Sequence, residues 1–238
     1  MDLTQLLGFV VDLDLIDRYG WRFVDGVVVT IELVVFSFVI GGLLGLGIGL
    51  MRLSHNLLGR GVSYAYVYFF RGTPLLAQLF LVYYGGGALR PALDAVGLWW
   101  FFRDAWYCTL FTFTLNTAAY QAEIFRGSIQ AVPRGQREAA AALGLHRGLT
   151  FFKIVLPQAL ITGLRPLGNE FILMIKASAV AALITVYDLM GVTRLVFARS
   201  YNFEVYLWAA VLYLAMVEII RRLWDHAERR LTRHLRMG

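Results

Sequence analysis

Four stretches of the chain, residues 27–51, 62–88, 105–125 and 205–220, are apolar runs that each hold a single charged residue. Each approaches or exceeds the roughly 20 residues that a helix needs to cross the hydrocarbon core of a bilayer. Composition agrees. The 238 residues are 59% hydrophobic and 16% charged, with a mean hydropathy of +0.63, whereas a soluble domain carries about 45–50% apolar and about 25% charged residues. The sequence is that of an integral membrane protein.

The net charge of +6 is distributed in a telling way. Arg52, His55 and Arg60 follow the first run, and Arg126, Arg134, Arg137, Arg147 and Lys153 follow the third. Arg221, Arg222, Arg229, Arg230, Arg233 and Arg236 follow the last. The intervening loops hold mainly Arg90 and Arg103, then Arg194 and Arg199. Basic residues thus concentrate in every second loop, which predicts five spans with the N-terminus outside and the C-terminus in the cytoplasm. The basic tail then needs no nucleic-acid partner. Asp2, Asp12, Asp14 and Asp17 make the start acidic, unlike the basic start of a cleavable signal. Cys108, the single cysteine, is expected to be a small buried packing residue.

The first span, about residues 27–51, carries Gly41, Gly45 and Gly49 at every fourth position, one helical stripe where another backbone can come close. The second is interrupted. Arg71 is costly at depth, and Pro74 lacks a backbone donor and disfavours helix in the residue before it. An interface-lying aromatic segment with Tyr64, Tyr66 and Tyr68, a break at residues 71–74, and a shorter helix ended by Gly85, Gly86 and Gly87 fit this pattern. An outer loop with Trp99, Trp100 and Trp106 leads to a third span at about 105–129. A fourth is expected at 161–183 with Pro166 inside it, then a polar outer loop at 187–202, then a fifth span at 203–224. No separate soluble domain is present; residues 1–238 read as one transmembrane unit.

Between the third and fourth spans lies a polar, alanine-rich segment, residues 133–157. Proline suits the first position of a helix, so one short helix is expected from about Pro133. Gly144 suits the left-handed residue past its end. A second helix follows from about Leu149. Ala139, Ala140 and Leu143 are expected to share one face for close docking of another protein, with Arg137 and Arg147 on its rim.

The order Glu138-Ala139-Ala140, three residues, Gly144, nine residues, Ile154, one residue, Leu156-Pro157 matches the coupling loop of ABC-importer permeases at every consensus position. Residues 69–79 (Phe-Phe-Arg-Gly-Thr-Pro-Leu-Leu-Ala-Gln-Leu), 115–124 and 168–174 narrow the likeness. From about residue 30 to 230 the chain resembles permeases of the polar amino-acid family, the histidine permease M subunit and the octopine and nopaline permeases among them. The resemblance implies an all-α type I permease fold of five, or six, transmembrane helices in the bacterial inner membrane. It also implies that residues Arg137, Glu138, Ala139, Ala140, Leu143, Gly144 and Arg147 couple to an ATPase. The implied partners are a cytoplasmic ATP-binding-cassette dimer, which holds the ATP and Mg, a second related permease subunit or a second copy, and an external solute-binding protein. No phosphate-binding loop occurs in this chain, so ATP is expected to be hydrolysed elsewhere and the chain itself is not an enzyme. No His-Glu-x-x-His occurs either, and no metal site is expected.

Ionisable groups inside a membrane default to functional candidates. Asn116, Tyr120 and Glu123 share one face of the third span, and Asn169 and Lys176 one face of the fourth, with Glu170 adjacent. These faces are expected to meet around a cavity, where Glu123 or Glu170 attracts a cationic side chain and Lys176 or backbone amides receive the substrate carboxylate. The open alternatives are interhelical bonding by the asparagines and an ion pair of Glu123 with Arg126. Basic amino acids or opines are the expected cargo, glutamine or glutamate the runner-up, and a pairing subunit without its own pocket a third reading. A passive channel is disfavoured by the coupling segment.

Overall fold

The computed structural model describes residues 13–232; Asp2, Asp12, Arg233, His234 and Arg236 lie outside that range. Among the described residues every regular element is helical. Helix α1, Leu13–Leu53, runs for 41 residues, about 60 Å or twice the hydrocarbon thickness. It begins well before the predicted start because Asp14, Asp17, Arg18, Arg22 and Asp25 do not oppose helix; they only oppose burial in lipid. Helix α2, Leu57–Gly72, opens on Asn56, whose Oδ1 accepts from the amides of Leu58 at 3.0 Å and Gly59 at 3.4 Å. It stops where predicted, at extended Thr73 and Pro74, and α3, Leu75–Ala88, follows.

The three glycines at 85–87 do not end α3; they occupy its last turn, where a Cβ on Gly86 would lie 3.3 Å from Phe102. The tryptophan-rich loop folds into α4, Arg90–Ala95, and α5, Trp99–Phe102. Helix α6 is Ala105–Ala131 and α7 is Arg134–Ala142. Helix α8, Arg147–Thr150, continues through a π-helical turn, Phe151–Val155, into α9, Leu156–Ala177, which keeps Pro166 inside it, and a 3-10 helix, Ser178–Ile184. Helix α10 is Leu189–Ser200 and α11 is Glu204–Leu231. The expected polar loop at 187–202 is therefore a helix. Its Leu189, Val192 and Val196 recur at helical spacing and are buried, and Asp188 caps it, accepting from the Gly191 amide at 2.9 Å.

Two stretches, Asp14–Leu53 and Arg147–Ile184, are each long and apolar enough to cross a membrane, and α2 with α3 makes a third as a bent pair. Helices α6 and α11, of 27 and 28 residues, have the length of a span.

The chain forms two compact units, Met1–Ser37, Pro74–Phe113 and Leu173–Ile219 in one, Phe38–Thr73, Thr114–Ile172 and Ile220–Gly238 in the other. In the first, α1 meets α10 so closely that a Cβ on Gly26 would lie 3.0 Å from the Leu189 Cα. The Thr30 hydroxyl stitches that contact, donating to the Gly26 carbonyl at 2.9 Å and accepting from the Leu189 amide at 3.0 Å. Cys108 is fully buried there, its thiol against the Phe102 carbonyl at 3.3 Å. In the second unit the glycine stripe of α1 lies on α6, as its spacing predicts. A Cβ on Gly45 or Gly49 would come 2.8 Å from the carbonyl oxygens of Ala118 and Ala122. Gln121 donates to the Phe38 carbonyl at 2.9 Å across the same seam. Phe38, Phe171 and Trp224 cluster beside it, and the Trp224 indole donates to the Leu164 carbonyl at 2.8 Å.

Candidate functional site

The segment at 133–157 folds as an elbow. Helix α7 ends at Leu143, and Gly144 takes φ +74°, the left-handed residue that a helix end calls for. His146 then starts α8, its Nδ1 accepting from the Leu149 amide at 3.3 Å. Ile129, Val132, Val155 and Ala159 form a buried core beneath the elbow, with Leu53 and Phe151 packed on it, so the elbow is held to the ends of α1, α6 and α9. The predicted docking face divides. Ala139 and Leu143 point outward, Leu143 at 79% exposure, whereas Ala140 is buried at 1% and serves the elbow's own packing. Arg137 is not a rim residue alone: its Nη2 donates to the Ile129 carbonyl at 2.8 Å, tying α7 to the end of α6. Glu138 and Arg147 are exposed. Arg137 and Arg147 line a cavity of about 580 Å³ with His55, Leu50, Leu53 and Phe151.

Within the same unit, Asn116, Tyr120 and Glu123 of α6 face the C-terminal end of α2. Asn116 Nδ2 donates to the Phe70 carbonyl at 3.2 Å, which gives this helix end a partner where the chain breaks. The Arg71 guanidinium lies over the Tyr120 ring, 5.2 Å from its centre. Glu123 is collared by arginines: Arg52 Nη1 at 2.9 Å, Arg126 Nη2 at 2.8 Å and Arg71 Nη1 at 4.0 Å. Arg126 Nε also reaches both carboxylate oxygens at 3.2 Å. One negative charge among three positive ones leaves the locale cationic. It opens on a cavity of about 490 Å³ lined by Arg52, Tyr64, Tyr68, Arg71, Thr73 and Glu123.

The fourth-span candidates separate. Glu170, 8% exposed, accepts from the Thr117 hydroxyl of α6 at 3.2 Å, and Gln121 Nε2 donates to the same hydroxyl oxygen at 3.2 Å. The two helices therefore do meet, but through Thr117, itself held by Gln121, rather than through the predicted Asn116–Tyr120–Glu123 face. Asn169 is exposed. Lys176, also exposed, belongs to the other unit.

Sequence reasoning missed Thr117 and the collar's Arg52. The signal for Thr117 was faint, a hydroxyl one position from a chosen asparagine. It also missed Asp188, fully buried at the start of α10, which accepts from the Tyr213 hydroxyl at 3.4 Å. Burial pushes its carboxyl up to about 6, against the amide and hydroxyl bonds that favour its charge. Among the described residues no group of His, Cys, Asp or Glu could hold a metal ion.

Comparison with known proteins places this architecture. The chain is 40% identical over 226 residues to the nopaline transport system permease protein NocM of Agrobacterium fabrum, covering 94% of each chain. It is 39% identical over 218 residues to the histidine/lysine/arginine/ornithine transport system permease protein HisM of Escherichia coli, covering 91% of each. A crystal structure of an amino acid ABC transporter with histidines superposes with a TM-score of 0.81 at 35% identity, over 92% of this chain and 99% of that one. The family model for binding-protein-dependent transport system inner membrane components matches residues 37–233. With helices α1 to α11 arranged as a type I permease, the chain belongs to that family of inner membrane transport components.

Proposed function

We propose that the chain, as one permease domain of residues 1–238, carries basic amino acids or opines inward across the membrane by alternating access. Five spans place the N-terminus outside and the C-terminus in the cytoplasm. ATP and Mg act on a separate cassette ATPase dimer, a second permease subunit or copy completes the pathway, and an external binding protein delivers the cargo. The observation that carries the reading is the elbow. Its Gly144 turn presents Ala139 and Leu143 outward, while Arg137 and the Ile129–Val155 core fix it to α6 and α9. A push on Leu143 is then relayed into the helices that hold Glu123 and Glu170.

Basic cargo is supported by the nopaline and histidine/lysine/arginine/ornithine transport systems of the two relatives and by a buried carboxylate, Glu170, with a hydroxyl donor at 3.2 Å. A guanidinium or ammonium group supplies the charge-assisted bonds that such a carboxylate lacks. The cationic surroundings of Glu123 suit the opposite end of the same substrate, its carboxylate, better than a cationic side chain. The occupied state of Glu123 also favours a second reading, a pairing subunit whose partner holds the pocket.

Proteoliposomes holding the full assembly test the proposal. Labelled arginine or histidine should accumulate only with ATP and the ATPase present. Equal accumulation after the ATPase has been stripped off overturns it, and accumulation of glutamine alone transfers the cargo to the runner-up.

A further inference from the structure

Among the described residues, the Arg60 guanidinium of α2 has no carboxylate partner. The Arg60 side chain is exposed and bonds to no described residue. It lines a cavity of about 360 Å³ with Arg52, Arg126, Gln130, Leu57 and Tyr64. This cavity shares Arg52 and Tyr64 with the 490 Å³ cavity of the arginine collar. Together the two cavities gather four guanidiniums, those of Arg52, Arg60, Arg71 and Arg126, against the single carboxylate of Glu123. Glu123 satisfies Arg52 and Arg126 on one side and leaves the open side of the groove cationic.

The flank of the groove is apolar and bare. Leu57 and Leu58 are 72% and 76% exposed, and Tyr64 and Tyr68 stack on each other with ring centres 6.1 Å apart while remaining exposed. Tyrosines of this kind sit at the headgroup level of a bilayer, and basic pockets between membrane helices take lipid headgroups. Guanidiniums grip phosphate oxygens in paired hydrogen bonds.

We propose that this groove holds an anionic phospholipid, its phosphate on Arg60, Arg52 and Arg126 and its acyl chains along Leu57, Leu58, Tyr64 and Tyr68. The exposed apolar side chains beside the charge, Leu57 in one cavity, Tyr68 in the other and Tyr64 in both, are what select a lipid over a free anion. The site shares Arg52 and Arg126 with the collar that the transport reading offers to the cargo carboxylate, and Arg60 and Leu57 are its own.

Full-length protein, with whatever subunits co-purify, is titrated in neutral detergent with phosphatidylglycerol and with phosphatidylcholine, and retained lipid is counted by native mass spectrometry. Phosphatidylglycerol is retained in preference, its affinity falls about fivefold in Arg60→Gln, and Arg90→Gln, whose arginine stacks on Trp99 in the other unit, leaves it unchanged. Leu57→Gln with Leu58→Gln also lowers retention, which a free-anion site would not do. Equal retention of the two lipids, full retention in Arg60→Gln, or displacement by millimolar inorganic phosphate overturns the proposal.

Discussion

Thr117 of α6 donates its hydroxyl to the carboxylate of Glu170 of α9 at 3.2 Å, both side chains being buried. The bond fixes where the carboxylate points and leaves most of its acceptor capacity open. Charge-assisted hydrogen bonds contribute about 1.5–3 kcal/mol, roughly 10- to 150-fold in an equilibrium. Glu170→Gln should therefore weaken arginine or histidine uptake in proteoliposomes by at least about tenfold, while Thr117→Val, which removes only a neutral donor, should cost about 1 kcal/mol of stability and less uptake. Unchanged uptake in Glu170→Gln removes this carboxylate from the pathway.

Gly144 has no side-chain neighbour within 4 Å of where a Cβ would stand, so a substitution there acts through the backbone alone. At φ +74° a β-branched residue is strained by roughly 1–2 kcal/mol, whereas asparagine tolerates that region. Gly144→Val should insert normally, lose the ATPase on purification and drop uptake by about tenfold. Gly144→Asn should retain most of both. Co-purification and uptake at native levels in the valine variant would separate the turn from coupling.

Asp188 carries the pH signature. Its carboxyl is raised from an ordinary 3.8 to about 6 by burial, so the folded state holds its proton more tightly than the unfolded chain. Protonation therefore favours the fold, and this contribution is lost as pH rises from about 4 through about 6. In detergent, the melting temperature of the native protein minus that of Asp188→Asn should fall between pH 5 and pH 7. A difference that rises over this window contradicts the assignment. Tyr213, which donates to the same carboxylate, stays in place in both proteins.

Much of the fold was legible because its signals are local. Apolar length marked the spans, Pro74 marked the break, and the four-residue spacing of Gly41, Gly45 and Gly49 marked the seam on α6. Helix ends were less legible, since the charged first turns of α1 resemble a loop until tertiary structure holds them. Helix α10 was read as a polar loop because Tyr187, Asp188, Arg194 and Arg199 outweighed the short stripe of Leu189, Val192 and Val196. The candidate site was half visible. Helical periodicity chose Asn116, Tyr120 and Glu123 correctly as one face, but the partner of that face is a three-dimensional fact: it is the broken end of α2 with Arg71, while α9 took the neighbouring face through Thr117.

The backbone contact at Gly45 and Gly49 has a mechanical corollary. Where a carbonyl oxygen fills the space that any side chain would need, α1 and α6 in this unit have no freedom to slide or roll against each other, and they travel as a welded strut. Any movement within this unit must then be taken up at contacts where side chains, rather than backbone, meet.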